Sequence, residues 1–142
     1  MIAGYSDALA DKLCPCGSGE RDASCCRVFH AGAPAPTALA LMRSRYTAYV
    51  RGELEYLIAT HDESTRHTVD VRAVSYWAKQ TLWLGLEIVS TKAGTETDDT
   101  GIVEFIARGT NAGRPFAQAE RSRFRKVDGR WYYIDGVVAR AG

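Results

Sequence analysis

Residues 116–138 read FAQAERSRFRKVDGRWYYIDGVV. Two alternating runs meet at Asp128-Gly129, and a two-residue Asp-Gly break between such runs predicts an antiparallel hairpin, because both turn positions need a positive φ. The alternation also assigns faces. Phe116, Gln118, Glu120, Ser122 and Phe124 share one side of the first strand, while Arg121, Arg123 and Arg125 share the other. Phenylalanine seeks the interior and three arginines do not, so the Glu120 side is expected to face inward. On the second strand Trp131, Tyr133 and Asp135 alternate with Tyr132 and Ile134, which carries Tyr133 and Asp135 inward with Trp131.

Upstream of this hairpin the pattern continues. IVEFIAR at 102–108 precedes a turn at NAGRP, and Leu82, Leu84, Leu86 and Ile88 alternate with Trp83, Gly85, Glu87 and Val89 ahead of the loop AGTETDDTG. Earlier still, the period becomes helical. Pro34 and Pro36 mark a rigid entry and Thr37 an N-cap. Leu39, Met42, Tyr46, Tyr49 and Val50 follow helical spacing, and Gly52 ends the run. ELEYLIATH predicts a second, short helix, and Asp70 caps a third with Val71, Val74, Trp77 and Ala78 on one face. Helices first and turn-linked strands afterwards define an α+β fold, about three helices packed on a curved antiparallel sheet.

The 142 residues carry 18 Lys and Arg against 17 Asp and Glu, so global charge gives no reason to expect nucleic acid as partner. No apolar run reaches the ~20 residues a membrane span requires. MIAGYSDALADKL has neither a basic nor an apolar stretch of signal-peptide type, and the expectation is a cytoplasmic protein without membrane association.

All four cysteines lie between positions 14 and 26: Cys14, Cys16, Cys25 and Cys26. A disulfide framework would staple distant parts of the chain, whereas bonds confined to this segment would leave the rest unstapled. Four thiolates can instead complete a closed tetrahedral zinc site, which is structural rather than catalytic. Gly17 and Gly19 permit the reversal between the two ligand pairs, and His30 could replace one thiolate but is not required. The chain thus divides into a zinc-binding segment at 1–33 and an α+β domain at 34–142. Zinc is expected to order the first thirty residues and little else.

CPCGSG, with eight residues between Cys16 and the pair Cys25-Cys26, resembles the SEC-C motif, a small zinc-binding element. The chain is also similar over nearly its whole length to the YchJ-like family of bacterial proteins. The matching segments are the cysteine motif, FHAGAPAPTALALMRSRYTAYV, EYLIATH and the terminal ERSRF and DGRWYYIDG. The resemblance implies a SEC-C element followed by a domain similar to nuclear transport factor 2, a cone of helices wrapped by a curved sheet. It implies no reaction.

Two function classes follow. The first is a zinc-binding adaptor whose cysteine segment docks a protein partner. The second is an enzyme acting on a small molecule in the cone's pocket, with Glu120 and Asp135 as acid and base and Ser122 and Tyr133 beside them. Against the second, both carboxylates can be saturated by Arg43 or Arg45 of the first long helix, or by tyrosine hydroxyls. Arg121, Arg123, Arg125, Lys126 and Arg130 would form a solvated outer face laced with ion pairs.

Overall fold

A computed structural model describes residues 12–139. Four helices precede four strands: α1 (Cys26–His30), α2 (Ala38–Arg51), α3 (Leu54–Ala59), α4 (Val71–Gln80), β1 (Thr81–Ala93), β2 (Thr100–Asn111), β3 (Arg114–Val127) and β4 (Arg130–Ala139). Single 3-10 turns lie at Asp22–Ser24 and Arg66–Thr68. The caps are those the sequence assigns. Thr37 Oγ1 accepts from the Ala40 amide at 3.0 Å, and Asp70 Oδ1 accepts from the Ala73 amide at 3.1 Å. Gly52 closes α2 in the left-handed region at φ 71°.

The strands form one antiparallel meander in chain order. Ala112-Gly113 and Asp128-Gly129 both turn with two positive φ values, which matches the strand twist. Val103, Phe105 and Ala107 of β2 lie opposite Ser122, Glu120 and Gln118 of β3, so these six share the face turned toward the helices. Strict alternation fails at three irregularities. One falls between Trp83 and Gly85; it groups Trp83 with Leu86 and Ile88 and leaves Leu82 and Leu84 in solvent. Another follows Ile88, and the third separates Arg123 from Phe124.

Leu41, Met42 and Tyr46 of α2 pack on Val103, Phe105, Phe124 and Trp131 to form the core. Cys14, Cys16 and Cys26 are buried in that same cluster. The cysteine segment, expected to order only itself, thus places three of its cysteines in the core shared with the helices and the sheet, with Cys25 packed against it. Two further devices hold the helices to the sheet. The Ala38 amide donates to the Gly94 carbonyl at 3.0 Å, seating the start of α2 on the β1–β2 loop. Thr60 and Asp62 exchange backbone hydrogen bonds with Tyr133 at 2.9 and 2.7 Å, covering part of the free edge of β4. No helix among the described residues is long and apolar enough to cross a membrane.

Candidate functional site

The cysteine knuckle is built from a short backbone ladder. The Cys14 amide donates to the Glu20 carbonyl and the Asp22 amide to the Lys12 carbonyl, each at 2.8 Å. Between them the chain reverses through Gly17 and Gly19, whose φ values of 79° and 85° suit glycine alone. Cys25 and Cys26 return at the start of α1. The four sulfurs lie within 4.8 Å of one another, with Cys16 and Cys25 3.6 Å apart, and all four cysteines are free. A tetrahedral site with Zn–S bonds of ~2.3 Å separates its sulfurs by ~3.8 Å, so the donor set fits such an ion.

The surroundings suit thiolates. Thr47 Oγ1 donates to Cys26 Sγ at 3.2 Å and lies 3.5 Å from Cys14 Sγ, while Ser18 Oγ lies 3.1 Å from Cys25 Sγ. Hydrogen bonds from Cys14 and Cys26 hold the Cys16 thiol far below its ordinary value, while burial pushes Cys25 up to about 11. His30 is not part of the set; its Nε2 lies 2.7 Å from the Ser44 carbonyl.

One face of α2 holds the knuckle. Arg43 Nη1 donates to the Cys16 carbonyl at 2.6 Å, Thr47 meets the sulfurs, and Arg51 pairs with Asp22 at 3.2 Å. These residues are four apart, which makes one stripe. The sequence reading placed Arg43 at the pocket; the structure places it at the knuckle instead.

The other face of α2 lines a cavity of about 440 Å³ between α2, α4 and the sheet. Trp77, Trp83 and Phe116 form its aromatic wall, with Trp83 edge-on to both neighbours at centroid distances of 5.0 and 6.0 Å. Glu120 faces in, as the alternation requires. Its Oε2 accepts from Ser122 Oγ at 2.5 Å and from the Tyr133 hydroxyl at 3.3 Å, and its Oε1 is 3.5 Å from Gln118 Nε2. The carboxylate is folded over Gly136, where any Cβ would collide with it. Burial and the neighbouring Glu120 push the Tyr133 phenol well up.

Arg45 is 5% exposed and also lines this cavity. Its Nη1 donates to the Leu57 carbonyl at 2.8 Å and to Thr60 Oγ1 at 2.6 Å, and its guanidinium lies 4.6 Å from the centre of the Tyr133 ring. Burial pulls its pKa down, opposed by nearby tyrosines and Glu120.

Asp135 does not join them. The irregularity after Arg123 sets Arg123 opposite Asp135 but Phe124 opposite Tyr133, so Ile134 is an extra residue on β4. Asp135 is thereby turned to the outer face, where Arg123 Nε and Nη2 grip both its oxygens at 2.7 and 2.6 Å. The expected pair of inward carboxylates reduces to Glu120. Elsewhere on the outer face Arg121 pairs with Glu104 and Arg125 with Asp62, so the arginine stripe is spent on ion pairs. Sequence reasoning missed Thr47, Trp83 and Gln118. The signal for Thr47 was the four-residue spacing of the polar residues Arg43, Thr47 and Arg51 along one stripe of α2.

Residues 37–136 match the family model described as YchJ, middle NTF2-like domain. The chain belongs to the YchJ-like family. Among curated YchJ-like relatives, a UPF0225 protein of Chromobacterium violaceum is 48% identical over 135 residues, covering 94% of this chain and 98% of that one. A UPF0225 protein of Geobacter sulfurreducens is 45% identical, covering 87% and 78%. Two solved structures share the fold of this YchJ-like chain. A SEC-C motif containing protein of Rhodopseudomonas palustris superimposes with a TM-score of 0.80 at 34% identity, covering 89% of this chain and 98% of the other. One from Psychrobacter arcticus does so with a TM-score of 0.78 at 28% identity, covering 95% and 87%.

Proposed function

We propose that this YchJ-like chain is a zinc-stapled small-molecule-binding protein of a reducing cytoplasm. One observation carries the reading: α2 is gripped on one face by the four-cysteine knuckle and forms, with its other face, a wall of the aromatic cavity. Cys14, Cys16, Cys25 and Cys26 would hold one zinc ion. All four positions are taken by sulfur, so the ion supplies cross-linking and no open coordination site. Its effect on the cavity is to fix α2, and with it Arg45 and Tyr49. Glu120 is the one inward carboxylate among the described residues, without the second member of the acid–base pair, and the cavity is read as a binding site.

Native mass spectrometry of protein purified gently under reducing conditions, without chelator, tests this directly. One zinc per chain and a small molecule lost on denaturation are expected. Metal-free, folded protein with no co-purifying molecule would remove the support for both halves of the proposal.

A second reading, in which the knuckle docks a protein partner, draws on one observation. Leu13 and Val28, on the knuckle's outside, are 67% and 40% exposed. Glutamate at both positions should leave zinc content unchanged while abolishing such docking. Retained docking by that variant would move the contact elsewhere.

A further inference from the structure

The cavity contains two charges that the fold itself leaves incompletely answered. Arg45 has five N–H donors, and only those on Nη1 find acceptors; Nε and Nη2 meet none among the described residues. Among the described residues no carboxylate stands within ion-pair distance of it, although it is almost wholly buried. A buried charge without a counter-charge is costly, and the groups that compensate it here are a π-face and neutral oxygens. Glu120 is in the complementary position. Its Oε2 receives two hydroxyls, while Oε1 has only the amide of Gln118 at 3.5 Å. Tyr133 stands between the two, its ring under the guanidinium and its hydroxyl at the carboxylate. The remaining wall is aromatic and apolar.

Resting on the reading of this cavity as a binding site, we infer that its ligand is a small amphipathic zwitterion, an amine-bearing organic carboxylate with a flat apolar body. The ligand carboxylate takes the open N–H groups of Arg45, in the fork geometry that suits two oxygens. The ligand ammonium takes Glu120 Oε1. The apolar body lies among Trp77, Trp83 and Phe116, where burial and ring contacts supply affinity. A purely anionic ligand would face the half-buried Glu120, and a purely cationic one the buried Arg45; each would leave one charge of the cavity unanswered. Charge complementarity at both ends therefore selects for the zwitterion.

The test uses the full-length, zinc-loaded protein and four probes: L-phenylalanine, 3-phenylpropionate lacking the amine, phenethylamine lacking the carboxylate, and 3-phenylpropan-1-ol lacking both. Binding is read by calorimetry and by emission of the cavity tryptophans. Phenylalanine is expected to bind at least about tenfold more tightly than either singly charged probe, as one charge-assisted hydrogen-bonded contact warrants. Glu120→Gln should erase the advantage over 3-phenylpropionate, and Arg45→Gln the advantage over phenethylamine. Because Arg45 also holds backbone of α3, the wild-type probe series and Glu120→Gln decide the matter even where Arg45→Gln fails to fold. Equal binding of all four probes would overturn the zwitterion inference and leave the binding cavity standing. Binding of none at millimolar concentration would overturn both.

Discussion

The Arg43 guanidinium and the Cys16 carbonyl meet at 2.6 Å, and this bond ties the knuckle's first ligand pair to the middle of α2. The helix that shapes the cavity is thereby fastened from behind. Loss of the proposed zinc should consequently be felt well beyond the cysteines.

Cys16→Ser should release the zinc and lower the stability of the entire fold, because Cys16 is fully buried within the common core. Loss of a structural metal together with a core contact is expected to cost at least about 3 kcal/mol. A thermal melt should show one transition at a lower temperature. An unchanged main transition in metal-free variant protein would mean that the knuckle is a detachable appendage.

Thr47→Val keeps the shape of the side chain and removes the donor to Cys26 Sγ. Groups that orient metal ligands are typically worth ~10–100-fold in metal affinity. Competition with a chromogenic chelator should show zinc leaving more readily by a factor in that range, with circular dichroism unchanged. Equal retention would remove Thr47 from the metal's supporting shell.

Asp62 gives a pH signature. Burial raises its pKa, but the hydrogen bonds from Arg125 at 2.6 Å and from Ser64 outweigh burial and hold the carboxyl below its ordinary value. A folded pKa below the unfolded one of ~3.9 means that the stabilisation is fully present above that value and is lost as pH falls through the folded one. Asp62→Asn should therefore destabilise by about 1–3 kcal/mol at pH 7. The gap between wild type and variant should close on acidification below the unfolded carboxylate value. A gap of constant size across that range would assign the loss to packing.

Gly101→Ala tests the seat of α2. A Cβ there would stand 2.5 Å from Gly94 Cα and 3.1 Å from Ala38 Cβ, and the first of these is backbone that cannot swing away. Overpacking of about 1–3 kcal/mol is expected in chemical denaturation. A neutral result would show that the β1–β2 loop can lift off the helix.

The turns and caps were legible in the sequence because each depends on residues within a few positions: Asp128-Gly129, Thr37, Gly52 and Asp70. Glu120 was legible for the same reason, since period-2 alternation held from Phe116 to Phe124. Asp135 was not, because an extra residue in β4 follows from how two strands twist against each other, and no local pattern at Ile134 announces it. The distribution of arginines on α2 was hidden too. Arg43 and Arg45 differ by two positions, a separation of about 200° around the helix, so one reaches the knuckle and the other the cavity. Only the placement of the knuckle behind α2, a contact between residues far apart in the chain, decides which does which.

One wall of the cavity differs in kind from the others. α4 contributes Trp77 and Val74 to the lining, yet none of its residues is fully buried. α2, in contrast, is covered on two faces. In hydrogen-exchange terms the amides of α4 are expected to be less protected than those of α2. Deuterium should enter Val71–Gln80 well before Ala38–Arg51. If α4 opens before α2, the residence time of an occupant should follow the opening rate of α4, whose last turn is joined to β1 by the bond from Thr81 Oγ1 to the Trp77 carbonyl at 2.6 Å. Binding would be timed by a helix with no fully buried residue, against a partner helix fastened from behind by the cysteine knuckle.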